Sequence, residues 1–321
     1  METFETIKTQ VQDWHNKRED VSIATADLEM SDQYQMCVQR KILPLSDHGV
    51  FQLCDKLRIP LGYYNRLPND MAIQQVDYWK SREQFRDKQL RLKLHQDDGV
   101  IGIVTDKHVP VANTSLIEGI EAVATKSKVD AFILTNEKLY LRLVFPDITK
   151  TLKDYKNDVV KAGIQVINSE VGSSRLFISP VIWRQVCSNG LVIADTSNRL
   201  INRIHRNKKE GISIEEQLSQ IFPLNGDLYN DLFSQFFKLD YKITKRPAKE
   251  IIAEINKQFN FTQKFGEDVL QSLDIEIQER NKKIEDTTMY DVVNAYTRSA
   301  QKLPNFDNRL NVESKIATLI K

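Results

Sequence analysis

Along the chain the spacing of apolar residues changes character twice. The first ninety residues are mixed and end helical. Asp47 is placed to cap a helix carrying Val50, Phe51, Cys54 and Leu57 on one face, and Ile59-Pro60-Leu61-Gly62 breaks it. Leu67-Pro68-Asn69-Asp70 opens a second helix with Met71, Val76 and Trp79, ending basic at Lys80 and Arg82. From Gln89 the period shortens to two. Leu90, Leu92 and Leu94 alternate with Arg91, Lys93 and His95, the pattern of a half-buried strand. Asp97-Asp98-Gly99 is a hairpin turn, and Val100–Thr105 is the returning strand. Asn113 and Ser115 begin a helix, with Ser115 and Glu118 spaced as a capping box. Val129–Thr135 and Leu139–Phe145 form a second hairpin around Asn136-Glu137-Lys138, and Val159–Ile167 and Arg175–Ile178 add two strands.

From about Ser213 the period lengthens again. Apolar residues recur three and four apart in Leu218-Ile221, Leu228-Leu232-Phe236 and Val269-Leu273-Ile277, and Thr288 with Asp291 can cap a helix holding Val292, Val293 and Tyr296. The pattern predicts an α+β fold. It has a mostly antiparallel, curved sheet of about five to seven strands with helices packed on it, then an all-helical C-terminal domain. The boundary is expected near residue 210, giving an α+β unit over 1–210 and a helical unit over 211–321.

Composition narrows the class. At 321 residues with 41% hydrophobic and 28% charged residues, the chain can build a sizeable core and is not globally disordered. A net charge of +1 means that any basic site must be local. Cys37, Cys54 and Cys187 are too few and too scattered for a disulfide framework, which suits a reducing compartment. The N-terminus lacks signal-peptide order, and no apolar run approaches the ~18 residues of a membrane helix. The expectation is a soluble cytoplasmic protein without a membrane partner. No phosphate-binding Gly-x-x-x-x-Gly-Lys-[Ser/Thr] loop and no Gly-x-Gly-x-x-Gly is present, which disfavours an ATP motor or a dinucleotide enzyme.

The most distinctive stretch runs from Asn168 to Gly190. It holds Asn168-Ser169-Glu170-Val171-Gly172, a strand-like run, and then Arg184-Gln185-Val186-Cys187-Ser188-Asn189-Gly190. Both runs resemble landmarks of the phage/plasmid-like proteins, the domain of unknown function 932 family. Ile59-Pro60-Leu61-Gly62-Tyr63-Tyr64-Asn65-Arg66-Leu67-Pro68 resembles another landmark of that family. Val104–Asn113 is similar to its Ser-Asp-Arg-Tyr-x-Pro-x-Asp-Asn stretch, with Thr105 for Ser and Lys107-His108 for Arg-Tyr. Asn294-Ala295-Tyr296-Thr297 resembles the last landmark, with Tyr296 where Leu is more usual. The resemblance covers Ile59 to Lys321 and places Asn168, Glu170, Gly172, Cys187, Asn189 and Gly190 in family motifs. It implies a setting of mobile elements, among replication, recombination and anti-host functions, and no agreed activity.

The clearest electrostatic feature is Arg199–Lys209, with Arg199, Arg203, Arg206, Lys208 and Lys209 and no acid. On a helix Arg199, Arg203 and Arg206 share one face, opposite Leu200, Ile201 and Ile204. Such a face neutralises phosphates by counterion release. The run equally fits a solvated face at a domain junction. Looser basic groups occur at Lys80–Lys93 and Lys242–Lys249, and Arg91 and Lys93 would share one strand face. Tyr140 and Arg142 alternate with Leu139, Leu141 and Leu143, a face that would suit base stacking if exposed. Arg184 and Asn168 fit either a strand surface touching a nucleic-acid backbone or a structural corner, in which Glu170 and Arg184 pair across strands. His95, Asp97, Asp98, Asp106, His108 and Glu170 are candidates for a two-metal nuclease, although Asp97-Asp98-Gly99 also reads as ordinary turn chemistry. Cys37, His48 and Cys54 lack zinc spacing, and Cys187 has no evident base.

These features lead to the expectation of a non-catalytic nucleic-acid-binding protein without cofactor. It would favour single-stranded DNA, would act in replication or recombination in the manner of phage annealing proteins, and could form homo-oligomers. The contacts expected are Arg184, Arg199, Arg203, Arg206, Lys208 and Lys209. A metal-dependent nucleic-acid enzyme, or an anti-defence factor gripping a host protein with its C-terminal helices, are the alternatives.

Overall fold

The computed structural model of the chain describes residues 3–152, 159–184, 191–194, 200–203, 214–221, 226–241 and 246–320. Thr3 caps the first helix, α1 (Phe4–Asn16), by accepting from Thr6 N, and the helix buries Ile7 and Val11, four residues apart. Strand β1 (Arg18–Ala24) follows, then a small meander of β2 (Met30–Asp32), β3 (Gln35–Val38) and β4 (Lys41–Pro44). Helix α2 (Asp47–Leu57) is capped by Ser46 rather than by Asp47, because the Ser46 hydroxyl accepts from Gly49 N. Its buried side holds Val50, Leu53, Cys54 and Leu57, while Phe51 is half exposed. Short helices α3 (Leu61–Tyr64), α4 (Asn69–Lys80) and α5 (Glu83–Arg86) complete this part.

Strands β5 (Gln89–His95) and β6 (Gly99–Thr105) form the predicted hairpin, with His95 opposite Gly99. Gly99 takes φ +73°, and a Cβ there would stand 2.3 Å from the Pro44 carbonyl, so the turn needs glycine. β1 pairs with β5 to give a three-stranded sheet ordered β1-β5-β6. Both faces of β5 are covered. Lys93 is buried, with Nζ 2.5 Å from Asp20 of β1, so Arg91 and Lys93 do not form an open basic face.

Helix α6 (Asn113–Val123) begins two residues before Ser115, with Ala112 at the cap position, so the Ser115–Glu118 box lies inside the helix. The larger sheet contains β7 (Lys128–Leu134), β8 (Leu139–Thr151), β9 (Val159–Asn168), β10 (Leu176–Arg184), β11 (Leu191–Ala194) and β12 (Ile201–Arg203). Its order is β11-β10-β9-β8-β7, all antiparallel, and β12 pairs with β10 on the same edge as β11. The second hairpin is confirmed in register, Leu134 opposite Leu139.

The C-terminal part is helical: α7 (Ile214–Ile221), α8 (Gly226–Lys238), α9 (Ala248–Phe259), α10 (Gln263–Glu279), α11 (Met289–Ala300) and α12 (Phe306–Ala317). Thr288 and Asp291 make the expected reciprocal capping box of α11. The fold is α+β, with antiparallel sheets and a helical C-terminal region.

Two apolar cores organise the molecule. One, from Leu28 to Ile103, unites β2–β6 with α2–α5. The other joins α1, α6, the larger sheet and the C-terminal helices through residues from Ile7 to Ala317. The expected boundary near residue 210 lies outside the described residues, and this second core runs across it. It covers β8 on both sides: Tyr140 packs edge-on against Phe306, and Arg142 is buried with its Nη2 3.1 Å from Glu313 Oε2 of α12. The Tyr140–Arg142 face is therefore a helix-docking surface and not an open stacking platform. Among the described residues no helix is long and apolar enough to cross a membrane.

Candidate functional site

The loop leaving β9 joins the two cores. Asn168, wholly buried, donates through Nδ2 to the Val111 carbonyl (2.8 Å) and to Asn113 Oδ1 (2.7 Å). Glu170 Oε1 accepts from Asn113 N (2.7 Å), and Glu170 Oε2 accepts from Arg18 Nη1 (2.5 Å) at the start of β1. The Val171 carbonyl accepts from Gln52 Nε2 of α2 (2.9 Å) and from His48 Nε2 (3.3 Å), and Gln52 Oε1 accepts from Ile103 N (2.6 Å). Ser169 Oγ accepts from the amides of Val171 and Ser173, and Ser173 Oγ donates to the Glu137 carbonyl. Four segments distant in sequence thus meet on the six residues 168–173, which fixes the loop by side-chain bonds rather than by a regular ladder. The expected pairing of Glu170 with Arg184 does not occur. Glu170 belongs to Arg18, because the loop turns away from β10 toward the smaller sheet.

Beside this loop, at the seam between the two sheets, lies a groove of about 820 Å³. Gln52 and Lys56 of α2 line one side, Thr105, Lys107 and His108 a second, and Gly172, Ser173, Ser174, Arg175 and Phe177 the third. Among the described residues its lining contains three Lys or Arg and no carboxylate. Lys56 is neutralised by Asp55 at 2.8 Å, whereas Lys107 and Arg175 are exposed and make no ion pair among the described residues. Burial pushes the His108 imidazole down to about 4, with Lys93 and Arg91 adding to the fall, so it is neutral at physiological pH. Ser174 Oγ is buried without a hydrogen-bond partner. A smaller cleft of about 420 Å³ continues past Lys56 and Lys107 and adds Lys88, Asp87 and Asp106 to its walls. Positive charge is therefore concentrated in the larger groove.

A family model described as "Domain of unknown function (DUF932)" matches residues 100–308. The chain belongs to this family. No curated protein and no solved structure matches it. In this DUF932 chain the matched span opens in β6 and closes in α12. It includes the whole Asn168–Arg175 loop, while Gln52, Lys56 and Arg18 precede it.

Of the DUF932 motif residues, Gly172 lines the groove, Asn168 and Glu170 are buried in the loop behind it, and Cys187, Asn189 and Gly190 lie outside the described residues. Arg184 does not face solvent: it is buried on β10 with Nη1 2.6 Å from Glu276 Oε2 of α10 and its guanidinium over Tyr290. It ties the sheet to the C-terminal helices and is not available to a phosphate. Of the basic run, Arg199, Arg206, Lys208 and Lys209 lie outside the described residues. Arg203 ends β12, so over Ile201–Arg203 the chain is a strand and the predicted helical face is absent. The strand pairing sets Arg203 opposite Leu176, next in sequence to Arg175 of the groove.

The acidic candidates are dispersed. Asp97 pairs with Lys17 at 2.8 Å, Asp98 with His95 at 2.8 Å, and Glu170 with Arg18. Among the described residues no group of three or more His, Cys, Asp or Glu is placed to hold a metal. The C-terminal helical part shows no apolar stripe among the described residues, where Ile275 and Ile284 are its exposed large apolar side chains.

Sequence reasoning stopped at Gly172 and passed over Ser173-Ser174-Arg175. A glycine followed by two hydroxyls and a cation is a legible anion-loop composition. Gln52 and Arg18 carried no local signal, because each bonds to the loop from more than a hundred residues away, and Lys56 is set apart only by its place on the groove wall.

Proposed function

We propose that this protein binds nucleic acid without catalysis, with single-stranded DNA its preferred partner, and that it serves replication or recombination of a phage or plasmid in an annealing-like role. The observation that carries the reading is the register of β12. Arg203, from the acid-free basic run, stands opposite Leu176, and Arg175 beside it lines the groove whose walls hold Lys56 and Lys107 but, among the described residues, no carboxylate. The backbone of the basic run is thereby brought beside the strand that follows Arg175, and clustered positive charge is what a polyphosphate backbone requires. The dispersal of Asp97, Asp98 and Glu170 into separate ion pairs gives the metal-dependent alternative no support. Homo-oligomer formation, as in annealing proteins, belongs to the same proposal.

The test is fluorescence anisotropy of labelled single-stranded and duplex DNA over a salt series. Tight single-strand binding with a steep salt slope is expected. Arg203→Glu with Arg206→Glu is expected to abolish it while leaving the circular dichroism spectrum unchanged. Unaltered affinity in that double variant refutes the reading.

A further inference from the structure

We infer that the groove between the two sheets is a seat for one nucleotide unit, its phosphate held by Lys107, Arg175 and Ser174 and its base set against Phe177. The inference deepens the nucleic-acid reading and rests on it for the identity of the ligand. Four observations carry it.

First, charge is matched to an anion and left unspent. Most buried cations of the described chain are committed to carboxylates, as Arg18, Arg142, Arg184 and Arg280 are. Lys107 and Arg175 are exposed, make no ion pair among the described residues and line the same groove. Two such cations on one groove wall attract an anion to it.

Second, hydrogen-bond donors are present beside the charge. Ser174 Oγ is buried with no partner, a state that protein hydroxyls seldom keep. Gly172, at φ +80°, turns the chain so that Ser173, Ser174 and Arg175 follow on the groove wall.

Third, the wall is preorganised. The bonds from Gln52 and His48 to the Val171 carbonyl, and from Ser173 to Glu137, hold the turn before any ligand arrives. Little ordering cost is then left to binding.

Fourth, the size fits a unit rather than a duplex. The volume of about 820 Å³ lies within the roughly 300–1,000 Å³ of clefts that enclose one small ligand. The neighbouring cleft mixes Lys56, Lys88 and Lys107 with Asp87 and Asp106, whereas the Arg175 end has cations without a carboxylate among the described residues, which favours the anion there.

The experiment measures displacement of labelled oligothymidylate by thymidine 5′-monophosphate, thymidine and inorganic phosphate. It uses the full chain and the double variant Lys107→Glu/Arg175→Glu. The expected result is displacement by the monophosphate, weaker displacement by phosphate and none by thymidine. In the double variant the salt slope for oligothymidylate should fall by about 1.4, two single-strand contacts at about 0.7 each. Both side chains are exposed, so an unfolding midpoint equal to that of the parent checks that the fold is kept. The milder Lys107→Gln/Arg175→Gln pair repeats the test if it is not. Oligothymidylate binding that is equal in parent and variants, with no effect of the monophosphate, overturns the groove as the seat while the nucleic-acid reading stands. Monophosphate binding seen directly by calorimetry in the parent and lost in the variant, without oligothymidylate binding in the parent, upholds the seat and overturns the single-strand reading. Absence of both overturns both.

Discussion

Arg18 and Glu170 stand 152 residues apart in the chain and form a buried ion pair, Nη1 to Oε2 at 2.5 Å. The pair joins the first strand of the small sheet to the loop leaving β9. The Arg18 guanidinium also lies over the Trp14 ring, at 4.5 Å from its centroid. Removing one member leaves a buried, uncompensated charge, which costs about 3–5 kcal/mol. Glu170→Ala is therefore expected to lower the urea midpoint steeply. Glu170→Gln keeps an acceptor for Asn113 N and should cost less. A double change to Arg18→Met/Glu170→Leu should recover much of the loss, because it strands no charge. Equal midpoints for Glu170→Ala and the parent protein would show that the pair is not buried in solution.

His108 makes the seam sensitive to acid. Its ordinary value is 6.5, and burial takes it down to about 4 in the folded chain. Above pH 6.5 the ring is neutral in both states and the folded state keeps its full advantage. As pH falls below 6.5 the unfolded chain takes up the proton first, so stability is lost until about pH 4, where the folded chain also protonates. The whole effect is at most about 3 kcal/mol, at 1.36 kcal/mol for each unit. Burial shifts His48 in the same direction. Urea unfolding at neutral pH and at steps toward pH 4 should show this decline, and His108→Gln should flatten it. A His108→Gln profile parallel to that of the parent would remove His108 as its source.

Arg184 tests the difference between a structural cation and a ligand-binding one. Its ion pair with Glu276 is buried, and Glu276 also accepts from Arg298 Nε at 2.7 Å. Arg184→Met is expected to destabilise the protein by about 3–5 kcal/mol, because Glu276 loses its buried partner on the sheet. DNA affinity, measured on the folded fraction at low temperature, should stay within about twofold of the parent, far less than the tenfold of 1.4 kcal/mol. A large loss of affinity at unchanged stability would reverse this assignment.

What could be read from the sequence was what is decided locally. The turn at Asp97-Asp98-Gly99, the hairpin around Asn136-Glu137-Lys138 and the Thr288–Asp291 cap involve residues within a few positions of one another, and each was legible. The illegible features depend on distant partners. The alternation of Tyr140 and Arg142 suggested an exposed polar face, but α12, more than 160 residues later, brings Glu313 and Phe306 to cover it. The period of Arg199, Arg203 and Arg206 fits a helix, yet Ile201–Arg203 joins the open edge of β10, where tertiary pairing overrides local spacing. At the candidate site, Asn168, Glu170 and Gly172 stood out by composition. Gln52 and Arg18 did not, because nothing near them in the chain announces a partner across the seam.

Gly172 connects the stability of the seam to the shape of the groove. Its φ of +80° is one that L residues with a Cβ avoid, and a Cβ there would stand 3.2 Å from Val104 Cγ1 and 3.3 Å from Gln52 Nε2. Gln52 cannot retreat freely, since it donates to the Val171 carbonyl and accepts from Ile103 N. Gly172→Ala should therefore cost about 1–2 kcal/mol in backbone strain and about 1 kcal/mol more through the disturbed Gln52 bonds. The second part predicts coupling. In a Gln52→Ala background the space beside the new methyl is already open, so the same substitution should cost about 1 kcal/mol less. The double-mutant cycle is read by urea unfolding. Strictly additive effects would place the strain in the backbone alone and detach Gln52 from the conformation of the loop. A loss in Gly172→Ala smaller than about 0.5 kcal/mol would mean that the turn does not hold positive φ in solution.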